Sequence, residues 1–477
     1  MVLRRRLVSH YLIICVNQLY DEAMSVNIRF LGGASTVTGS KYCVEYEGQR
    51  LLVDCGLFQG YKQLRLRNWN PMPVAAAKID AVILTHAHLD HSGYVPMLAR
   101  QGFTGRVHTT AGTRDICNIL LPDSGHIQEE DAFFANKHRF SKHEPALPLY
   151  TKLDAIQCMR QFHVEKWGNW FEPVKGWKAM FSSAGHILGA SSLLLEVAGR
   201  RILFSGDLGR PDDSLMNPPD QPPQADTVLI ESTYGDRSHP LDKLNDELSS
   251  ALSKVAARGG VAVVPVFAVG RAQAILHCIA QLKAQDKIPH GLPVFLDSPM
   301  AIHTTALFQK HMPEHRLSAT EVNAMDHVAT MVETPEQSKA LLKRHGPMVI
   351  LAASGMATGG RVLHHLANYL GDHRNMVVLT GYQSPGTRGA SLADGSTSLR
   401  IHGKDVPVRA EIVQLTSASA HADANQLLSW LQRMPVAPSQ VYVVHGENKA
   451  ADTLRQRIER ELHMRAVVPE HDSVWPA

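Results

Sequence analysis

Short apolar runs alternate with glycine-rich turns over the first part of the chain, from Met24 to about residue 205. Apolar runs of about four to eight residues between turn signals are typical of β-strands. They predict strands at Val26–Leu31, Lys41–Tyr46, Arg50–Val53, Ala81–Leu84, Leu193–Val197 and Arg201–Phe204. Helical spacing predicts helices at Tyr94–Arg100, Thr113–Leu121 and Leu153–Gln161. Residues 122–150 are polar, and we expect them to form a long exposed loop.

Strands and helices alternate regularly in the second half of the chain. Residues 211–223 contain five prolines and predict a connection between two units. The pattern then predicts helices at Asp242–Arg258, Arg271–Lys283, Pro335–His345, Gly359–Tyr369, Asn425–Arg433 and Thr453–His463, and strands at Val261–Val266, Pro293–Leu296, Met348–Ala352, Met376–Leu379, Glu411–Leu415 and Gln440–Val444. This alternation is typical of a parallel, Rossmann-like unit.

Composition narrows the class of protein only slightly. A chain of 477 residues is long enough for two or three domains. Its formal net charge of +3 favours no particular partner. The six cysteines are scattered without a short-spaced pair, which argues against a disulfide framework and favours a reducing, cytoplasmic setting.

The N-terminal residues 1–23 resemble a signal peptide only superficially. Their apolar run, Leu12–Val16, is too short to span a bilayer, and no small-residue cleavage site follows it. We therefore expect an N-terminal extension that is disordered or not translated, with translation starting at Met24. We expect no membrane-spanning segment.

One local motif concentrates metal-ligating side chains. His86, His88, Asp90 and His91 follow directly on the apolar strand that ends at Leu84. Imidazole and carboxylate groups together suit zinc. Any one of these residues alone is more often an ordinary turn residue, but four in six positions after a strand predict a site for two metal ions.

Two later positions offer further ligands. His186 lies in a glycine-bounded turn, and Asp207 follows the strand that ends at Phe204. A carboxylate at a strand end can bridge two metals, because one oxygen can face each ion. Gly-His and Gly-Asp are weak signals alone, and their weight comes from the first motif.

These motifs resemble those of the metallo-β-lactamase superfamily and, within it, the β-CASP nucleases. The superfamily signatures correspond to Asp54, the His86–His91 motif, His186 and Asp207. The β-CASP signatures are Glu231-Ser232-Thr233-Tyr234-Gly235, Ser419-Ala420-His421-Ala422-Asp423 and Val443-Val444-His445-Gly446-Glu447. The resemblance runs from about Met24 to the C-terminal end and is strongest to bacterial and archaeal relatives of the cleavage-and-polyadenylation endonuclease.

The resemblance implies an α/β fold, an αββα metallo-β-lactamase sandwich with an inserted Rossmann-like β-CASP domain. The first part of the sandwich would comprise residues 24–235, the β-CASP domain 236–415, and the second part of the sandwich 416–477. It also implies an enzyme that hydrolyses RNA phosphodiester bonds with a hydroxide bridging two Zn²⁺ ions. Relatives often dimerise, so we expect a homodimer as one possible assembly.

The resemblance further implies a role for each candidate residue. One zinc would be held by His86, His88 and His186, and the other by Asp90, His91 and His445. Asp207 would bridge the two ions, and Asp54 would orient a ligand. A histidine at position 445 resembles RNA-directed rather than DNA-directed members.

The acid–base and substrate-binding assignments depend on the same resemblance. His421 is the candidate general acid, held and kept protonated by Glu231, and Asp90 and Asp207 complete the catalytic set. Without the resemblance, His421 is more simply a residue that precedes a helix, and Glu231 a carboxylate at a strand end. The candidate RNA contacts are Arg271, Ser354, Gly355, Met356 and Arg361, two of which follow glycine-rich turns.

Three other functions remain open at this point. A hydrolase of small esters or thioesters shares the metal motif, but the roughly 180 residues between Glu231 and His421 suit a whole domain that covers the cleft. A diiron oxidoreductase usually has a carboxylate in place of a histidine of the first motif. A non-catalytic RNA-binding scaffold usually lacks metal ligands, and none is missing here.

Overall fold

The computed structural model describes residues 25–139, 141–239, 243–381, 383–415, 417 and 419–477. The expectation for residues 1–23 therefore lies outside the described residues. The described chain forms two seven-stranded sheets, a six-stranded sheet and a two-stranded hairpin, with helices on their faces.

The first sheet contains most of the strands predicted for the N-terminal part. Its strands are β1 (Asn27–Gly32), β2 (Lys41–Tyr46), β3 (Gln49–Val53), β4 (Ala81–Ile83), β5 (Arg106–Thr109), β6 (Phe162–Val164) and β22 (Val474–Pro476). Their order is β22-β1-β2-β3-β4-β5-β6, parallel from β3 to β6. The C-terminal strand β22 thus closes the edge next to β1.

The second sheet combines strands from both ends of the chain. Its strands are β7 (Trp170–Phe171), β8 (Lys178–Ser183), β9 (Ser191–Val197), β10 (Arg200–Phe204), β11 (Thr227–Glu231), β20 (Gln440–Val444) and β21 (Ala466–Val467). Their order is β21-β20-β11-β10-β9-β8-β7. β10, β11 and β20 are parallel neighbours, so their carboxyl ends meet at one edge.

The two seven-stranded sheets pack face to face. Side chains from both inner faces share one apolar core, in which the rings of Phe30 and Tyr442 are 5.3 Å apart. The strands are buried on both faces, since Leu51 and Val53 enter this core whereas Leu52 packs with the helices outside. Burial on both faces accounts for their nearly continuous apolar sequence. This is the predicted αββα sandwich.

The third sheet is entirely parallel and lies between β11 and β20 in sequence. Its order is β14-β13-β15-β12-β16-β19. Its strands are β12 (Val261–Pro265), β13 (Val294–Asp297), β14 (Thr330–Met331), β15 (Met348–Ala352), β16 (Met376–Leu379) and β19 (Glu411–Gln414), and β17 (Ser398–Ile401) pairs with β18 (Lys404–Pro407) as a hairpin. The Rossmann-like unit is therefore confirmed, and the boundaries 24–235, 236–415 and 416–477 stay a proposal.

Fourteen α-helices lie within the described residues. They are α1 (Lys62–Arg67), α2 (Leu89–Ser92), α3 (Val95–Arg100), α4 (Ala111–His138), α5 (Lys152–Cys158), α6 (Leu244–Ala257), α7 (Arg271–Ala284), α8 (Pro299–Lys310), α9 (Ala319–His327), α10 (Pro335–Leu341), α11 (Val362–Tyr369), α12 (Arg388–Ala393), α13 (Ala424–Gln432) and α14 (Asn448–Glu461). The pattern did not predict α1, α2, α8, α9 or α12. None of the helices described is long and apolar enough to cross a membrane.

The prediction of a loop over residues 122–150 is wrong for its first half. Helix α4 continues through Pro122 to His138. Its buried positions beyond Pro122 are small residues, Ser124, Gly125, Ala132 and Ala135, instead of large apolar ones. A Cβ atom at Gly125 would lie 2.7 Å from backbone atoms of Thr151 and Lys152. Close packing against α5 therefore requires small side chains, which leave little apolar periodicity in the sequence.

A partly buried ionic network connects α4 to the unit that contains the third sheet. Asp115 on α4 lies 2.8 Å from His311 and 2.6 Å from Lys310. His311 in turn lies 2.9 Å from Glu314, which accepts a hydrogen bond from the backbone N–H of Gly189 at 2.6 Å. Gly189 belongs to the turn that carries His186, so this network joins the inserted unit to the metal motif.

Substitution Asp115→Asn is expected to lower the free energy of unfolding by about 1–2 kcal/mol at pH 7. Burial alone would raise the pKa of Asp115, but hydrogen bonds from Lys310, Arg114 and His311 outweigh it and lower the pKa to about 2. A carboxyl group whose pKa folding lowers stabilises the protein above its unfolded pKa and loses that contribution as the pH falls through its folded pKa. In urea titrations, the difference between the two proteins should therefore shrink between pH ~4 and ~2.

An exposed ion pair provides the matched control. Arg374 lowers the pKa of Asp372 to about 2 as well, but this pair lies at the surface, where solvent screens it. Asp372→Asn should therefore change the unfolding free energy much less than Asp115→Asn. Equal losses in the two variants, or a loss in Asp115→Asn that does not vary with pH, would contradict the prediction.

Candidate active site

The candidate ligands gather at one edge of the sandwich. Asp207, Glu231 and His445 follow or end the parallel neighbours β10, β11 and β20, whose carboxyl ends meet there. The motif from His86 to His91 follows β4 of the facing sheet. Strand order therefore brings together residues that are more than 350 positions apart in sequence.

Three histidines form one group of this cluster. His88 Nδ1 lies 3.2 Å from His86 Nε2 and 3.3 Å from His186 Nε2. Oδ2 of Asp207 lies 3.5 Å from His86 Nε2 and 3.8 Å from His186 Nε2. Four ligand atoms thus surround one point, as in a tetrahedral zinc site.

A second group lies on the other side of Asp207. His445 Nε2 is 3.9 Å from Asp90 Oδ2, and the three residues Asp90, His91 and His445 point their ligand atoms toward one another. Oδ1 of Asp207 lies 3.3 Å from His91 Nε2 and 3.5 Å from His445 Nε2. The two oxygens of Asp207 therefore face different groups, which is the geometry of a bridging carboxylate.

Four of the five candidate histidine ligands are held in the neutral form that suits a metal. Burial lowers the pKa of His86, His186 and His445 well below the ordinary value and that of His88 to about 4. Neutral imidazole is the form that ligates a metal. Burial alone would also lower the pKa of the fifth, His91, but the carboxylates of Asp207 and Asp54 outweigh it and raise that pKa. Within the described part of the chain, Asp207 Oδ1 and His91 Nε2 are buried without a hydrogen-bond partner. Such atoms are costly to bury unless an ion satisfies them, so the residues fit a bound metal.

Three polar side chains orient the ligands. Asp54, predicted for this role, accepts from the Thr85 backbone N–H and hydroxyl and from His91 Nδ1, the last at 2.7 Å. The Oγ of Ser40 lies 2.8 Å from Nδ1 of His445. These contacts leave Nε2 of both histidines free for a metal. Sequence reasoning missed Ser40 and Thr85, because nothing distinguishes such hydroxyls from ordinary turn residues.

His421 and Glu231 lie beside this cluster as a pair. Nδ1 of His421 is 3.2 Å from both oxygens of Glu231 and 3.9 Å from Oδ2 of Asp207. Burial alone would lower the pKa of His421, but the charges of Glu231, Asp207 and Asp90 outweigh it, and the pKa is raised. Glu231 is buried and is itself held by the backbone N–H of Leu208 at 2.7 Å.

Sequence reasoning also missed a second histidine at this pair. His239 Nε2 lies 3.0 Å from the backbone carbonyl of His421. The backbone N–H of His239 donates to the carboxylate of Asp423 at 2.8 Å. The ring of His239 packs edge-on against Tyr234, with ring centroids 4.8 Å apart. His239 therefore supports the segment that carries His421. A lone histidine in a polar stretch gave no signal of this contact.

Of the predicted RNA contacts, Arg271 follows a glycine that packs against the turn carrying His186. A Cβ atom at Gly270 would lie 2.8 Å from Ile187, the neighbour of His186. Arg271 Nε is buried with no hydrogen-bond partner among the described residues, and burial lowers the pKa of Arg271. An arginine held this way has capacity left for a phosphate oxygen.

The other predicted contacts are held within the β-CASP unit. Arg361 donates to Asp297 at 2.8 Å and to the carbonyls of Val332 and Glu333 at 3.0 and 2.7 Å. The other three predicted contacts, Ser354, Gly355 and Met356, form a tight turn. Ser354 Oγ lies 2.9 Å from Thr358 Oγ1, and a Cβ at Gly355 would lie 2.6 Å from Phe267. Met356 is partly buried. Their role in RNA binding stays a prediction.

Three families match successive parts of the chain. Residues 37–250 match the metallo-beta-lactamase superfamily, and residues 272–392 match the Beta-Casp domain. Residues 405–469 match a Zn-dependent metallo-hydrolase RNA specificity domain. The histidine–aspartate cluster is accordingly a metal site.

Individual relatives agree with these matches over nearly the whole chain. A ribonuclease of Thermus thermophilus is 36% identical over 88% of this chain and 92% of its own length. An RNase J-like protein of Methanocaldococcus jannaschii is 30% identical over 94% of this chain and 100% of its own length. A protein of unknown function from Enterococcus faecalis has a similar fold, with a TM-score of 0.51 and 14% identity over 95% of this chain and 100% of its own. As its motifs predicted, the chain belongs to the β-CASP family of the metallo-β-lactamase superfamily.

Proposed function

We propose that the protein is a ribonuclease that uses two zinc ions to hydrolyse RNA phosphodiester bonds. The observation that carries the proposal is the position of Asp207, whose two oxygens face two separate groups of ligands. His86, His88 and His186 would hold one ion, and Asp90, His91 and His445 would hold the other. When bound, such a pair lowers the pKa of a water molecule toward ~7 and offsets charge on a phosphate oxygen.

The residues around the ions have separate tasks in this mechanism. Glu231 holds His421 through Nδ1, and the His421 side chain remains 20% exposed. His421 Nε2 can therefore donate a proton to the leaving ribose oxygen as the P–O bond breaks. Arg271 would bind a phosphate oxygen of the RNA backbone, which the unpaired Nε of its guanidinium supports. Asp54 and Ser40 fix the orientation of the imidazole rings of His91 and His445.

RNA is the substrate that the relatives favour. The Thermus and Methanocaldococcus relatives carry ribonuclease names, and the C-terminal match is an RNA specificity domain. A hydrolase of small esters or thioesters is not favoured, since the β-CASP unit adds a domain that a small substrate does not need. A non-catalytic scaffold is not favoured either, because every predicted ligand is in place.

Two further points belong to the same proposal. All five described cysteines are buried free thiols, which supports a reducing, cytoplasmic setting. Exposed apolar side chains on and near α4 and α5, including Phe133, Phe134, Leu147 and Leu153, support a homodimer. Light scattering of the purified protein would measure its oligomeric state.

Incubation of the purified protein with labelled RNA tests the function. We expect RNA cleavage that a chelator abolishes and added zinc restores, with two equivalents of zinc per chain. End-labelled and uniformly labelled RNA together distinguish internal cleavage from release of single nucleotides at an end. Hydrolysis of a thioester without RNA cleavage would contradict the proposal, and RNA cleavage that survives complete metal removal would contradict the zinc mechanism.

A further inference from the structure

Residues 61–69 present an exposed basic and aromatic surface next to the cluster of metal ligands. Tyr61 and Trp69 flank helix α1 and are 52% and 55% exposed. Helix α1 itself has no buried residue, and Leu66 is 49% exposed. A short helix that buries none of its own side chains contributes little to the core, so packing does not account for this composition.

The cations of this surface are unpaired. Lys62, Arg65 and Arg67 form no ion pair within the described chain, and no acidic residue lies between Gly56 and Pro73. Some surface arginines elsewhere are paired, for example Arg457 with Glu461 at 2.6 Å. Arg67 instead lies over the ring of Phe58, 5.5 Å from its centroid. Three unneutralised cations in six residues form a local positive field that attracts an anion.

A cavity of about 640 Å³ opens beside these residues. Its lining includes Tyr61, Lys62 and Arg67 together with Ser35, Glu447 and Glu470. Its volume lies in the range of small-molecule and nucleotide sites. The cavity therefore combines cations for phosphate, an aromatic ring for stacking, and carboxylates that can accept hydrogen bonds from the amino groups of bases.

The cavity adjoins the candidate active site. Glu447 lies two residues after His445, and the backbone N–H of His445 donates to the carbonyl of Gly33 at 2.6 Å, two residues before Ser35. Tyr61 also touches the β-CASP unit, because a Cβ at Gly386 would lie 3.1 Å from its ring. The surface is thus at the boundary between the two units, on the His445 side of the metal ligands.

We propose that residues 61–69 and this cavity bind a single-stranded segment of RNA that extends from the cleaved phosphodiester. The inference rests on the proposed ribonuclease function and adds a second contact region to it. Tyr61 and Trp69 would stack on bases, and Lys62, Arg65 and Arg67 would neutralise phosphates. Stacking and backbone neutralisation together are the usual means of holding single strands without strict sequence preference.

The test compares RNAs of two lengths in two double variants. Tyr61→Ala with Trp69→Ala, and Lys62→Gln with Arg65→Gln, should each raise KM at least about tenfold for RNA of roughly 20 nucleotides. For RNA of roughly four nucleotides, KM of the variants should differ little from that of the wild type. For the long RNA, kcat of the variants should stay within about twofold of the wild-type value. The charge variant should also make the salt dependence of binding shallower, by about one unit of log Kd per log salt concentration.

A matched control uses the opposite edge of the second sheet. Trp170 is 46% exposed on β7, which lies five strands from β20, and Lys175 is near it in sequence. Trp170→Ala with Lys175→Gln should leave the KM for both RNAs unchanged. Melting temperatures of all variants show whether folding is intact, and the charge variant keeps the test valid if the aromatic variant is destabilised.

The outcomes separate this inference from the proposed function. If the wild-type protein cleaves no RNA, the ribonuclease proposal fails. If the wild-type protein cleaves RNA but both variants bind the long RNA as tightly as it does, the surface serves another partner, such as a protein, and the inference is overturned. Equal losses on the long and the short RNA would also overturn it, because a contact outside the metal centre must depend on length.

Discussion

His421→Ala is expected to lower the rate of RNA cleavage by about 10²- to 10⁴-fold while zinc binding is retained. The reason is geometric, since His421 contacts Glu231 at 3.2 Å and lies 3.9 Å from Asp207. A protonated imidazole at this position can supply the proton that the leaving oxygen requires. Single-turnover cleavage of labelled RNA measures the rate, and the zinc content of the same sample measures binding.

The metal content distinguishes two roles for this histidine. Asp207, Glu231 and His421 also place three possible ligand atoms close together, so His421 as a ligand is the competing interpretation. If His421→Ala loses zinc in proportion to activity, the role as a general acid is wrong. His126→Ala, which removes an exposed histidine from α4, should change neither quantity.

The pH profile provides an independent measurement of the same role. A general acid works in its protonated form, so the rate should fall as the pH rises through the pKa of His421. Glu231 raises that pKa, and Glu231→Gln should therefore move this limb of the profile to lower pH. An unmoved limb in Glu231→Gln would mean that another group donates the proton.

Asp207→Asn is expected to lose zinc from both sites and to lower RNA cleavage by about 10³-fold or more. Replacing an outer partner of a metal ligand typically costs about 10- to 100-fold, and a bridging ligand should cost more because both ions depend on it. An amide has one oxygen to offer and no negative charge, so it cannot replace Oδ1 and Oδ2 together. Metal analysis after dialysis and single-turnover cleavage check the two parts.

The same substitution should have a different effect on the stability of the protein without zinc. Burial raises the pKa of Asp207, because a carboxylate is costly to bury when no cation is bound. Asp207→Asn should therefore destabilise the chelated protein little, although it removes the gain in melting temperature that zinc gives to the wild type. Asp372→Asn, which removes one member of a surface ion pair, should keep both the bound zinc and the increase in melting temperature that zinc gives. Two bound zinc ions in Asp207→Asn would refute the bridging role.

Most of the fold and the ligand set could be predicted because their signals are local. Strands such as β12 and β15 are apolar over their full length, and His86, His88, Asp90 and His91 lie within six residues. The missed helices had weaker signals. The second half of α4 buries small residues, and α1 buries none, so neither shows a strong apolar stripe.

Some of the contacts that orient the ligands could not be predicted from the sequence. Ser40 approaches His445 only because β20 adjoins β11 in the second sheet and faces the first sheet. Arg361 followed a glycine-rich turn in the sequence, yet Asp297 at the end of β13 pairs with its guanidinium. Sequence spacing does not reveal which partner a hydroxyl or a guanidinium will bind. The partner depends on which strands become neighbours in the folded protein.

The sequence by itself determined the family, the αββα and Rossmann-like units and the candidate ligands, because periodicity and short motifs act over a few residues. Only the tertiary structure gave the distances at which the oxygens of Asp207 face two groups of ligands and Glu231 contacts His421, and only it revealed that Glu314 binds the backbone of the turn that carries His186. These contacts join positions more than 100 residues apart. Their distances follow from strand order and the packing of two units, which no local pattern contains.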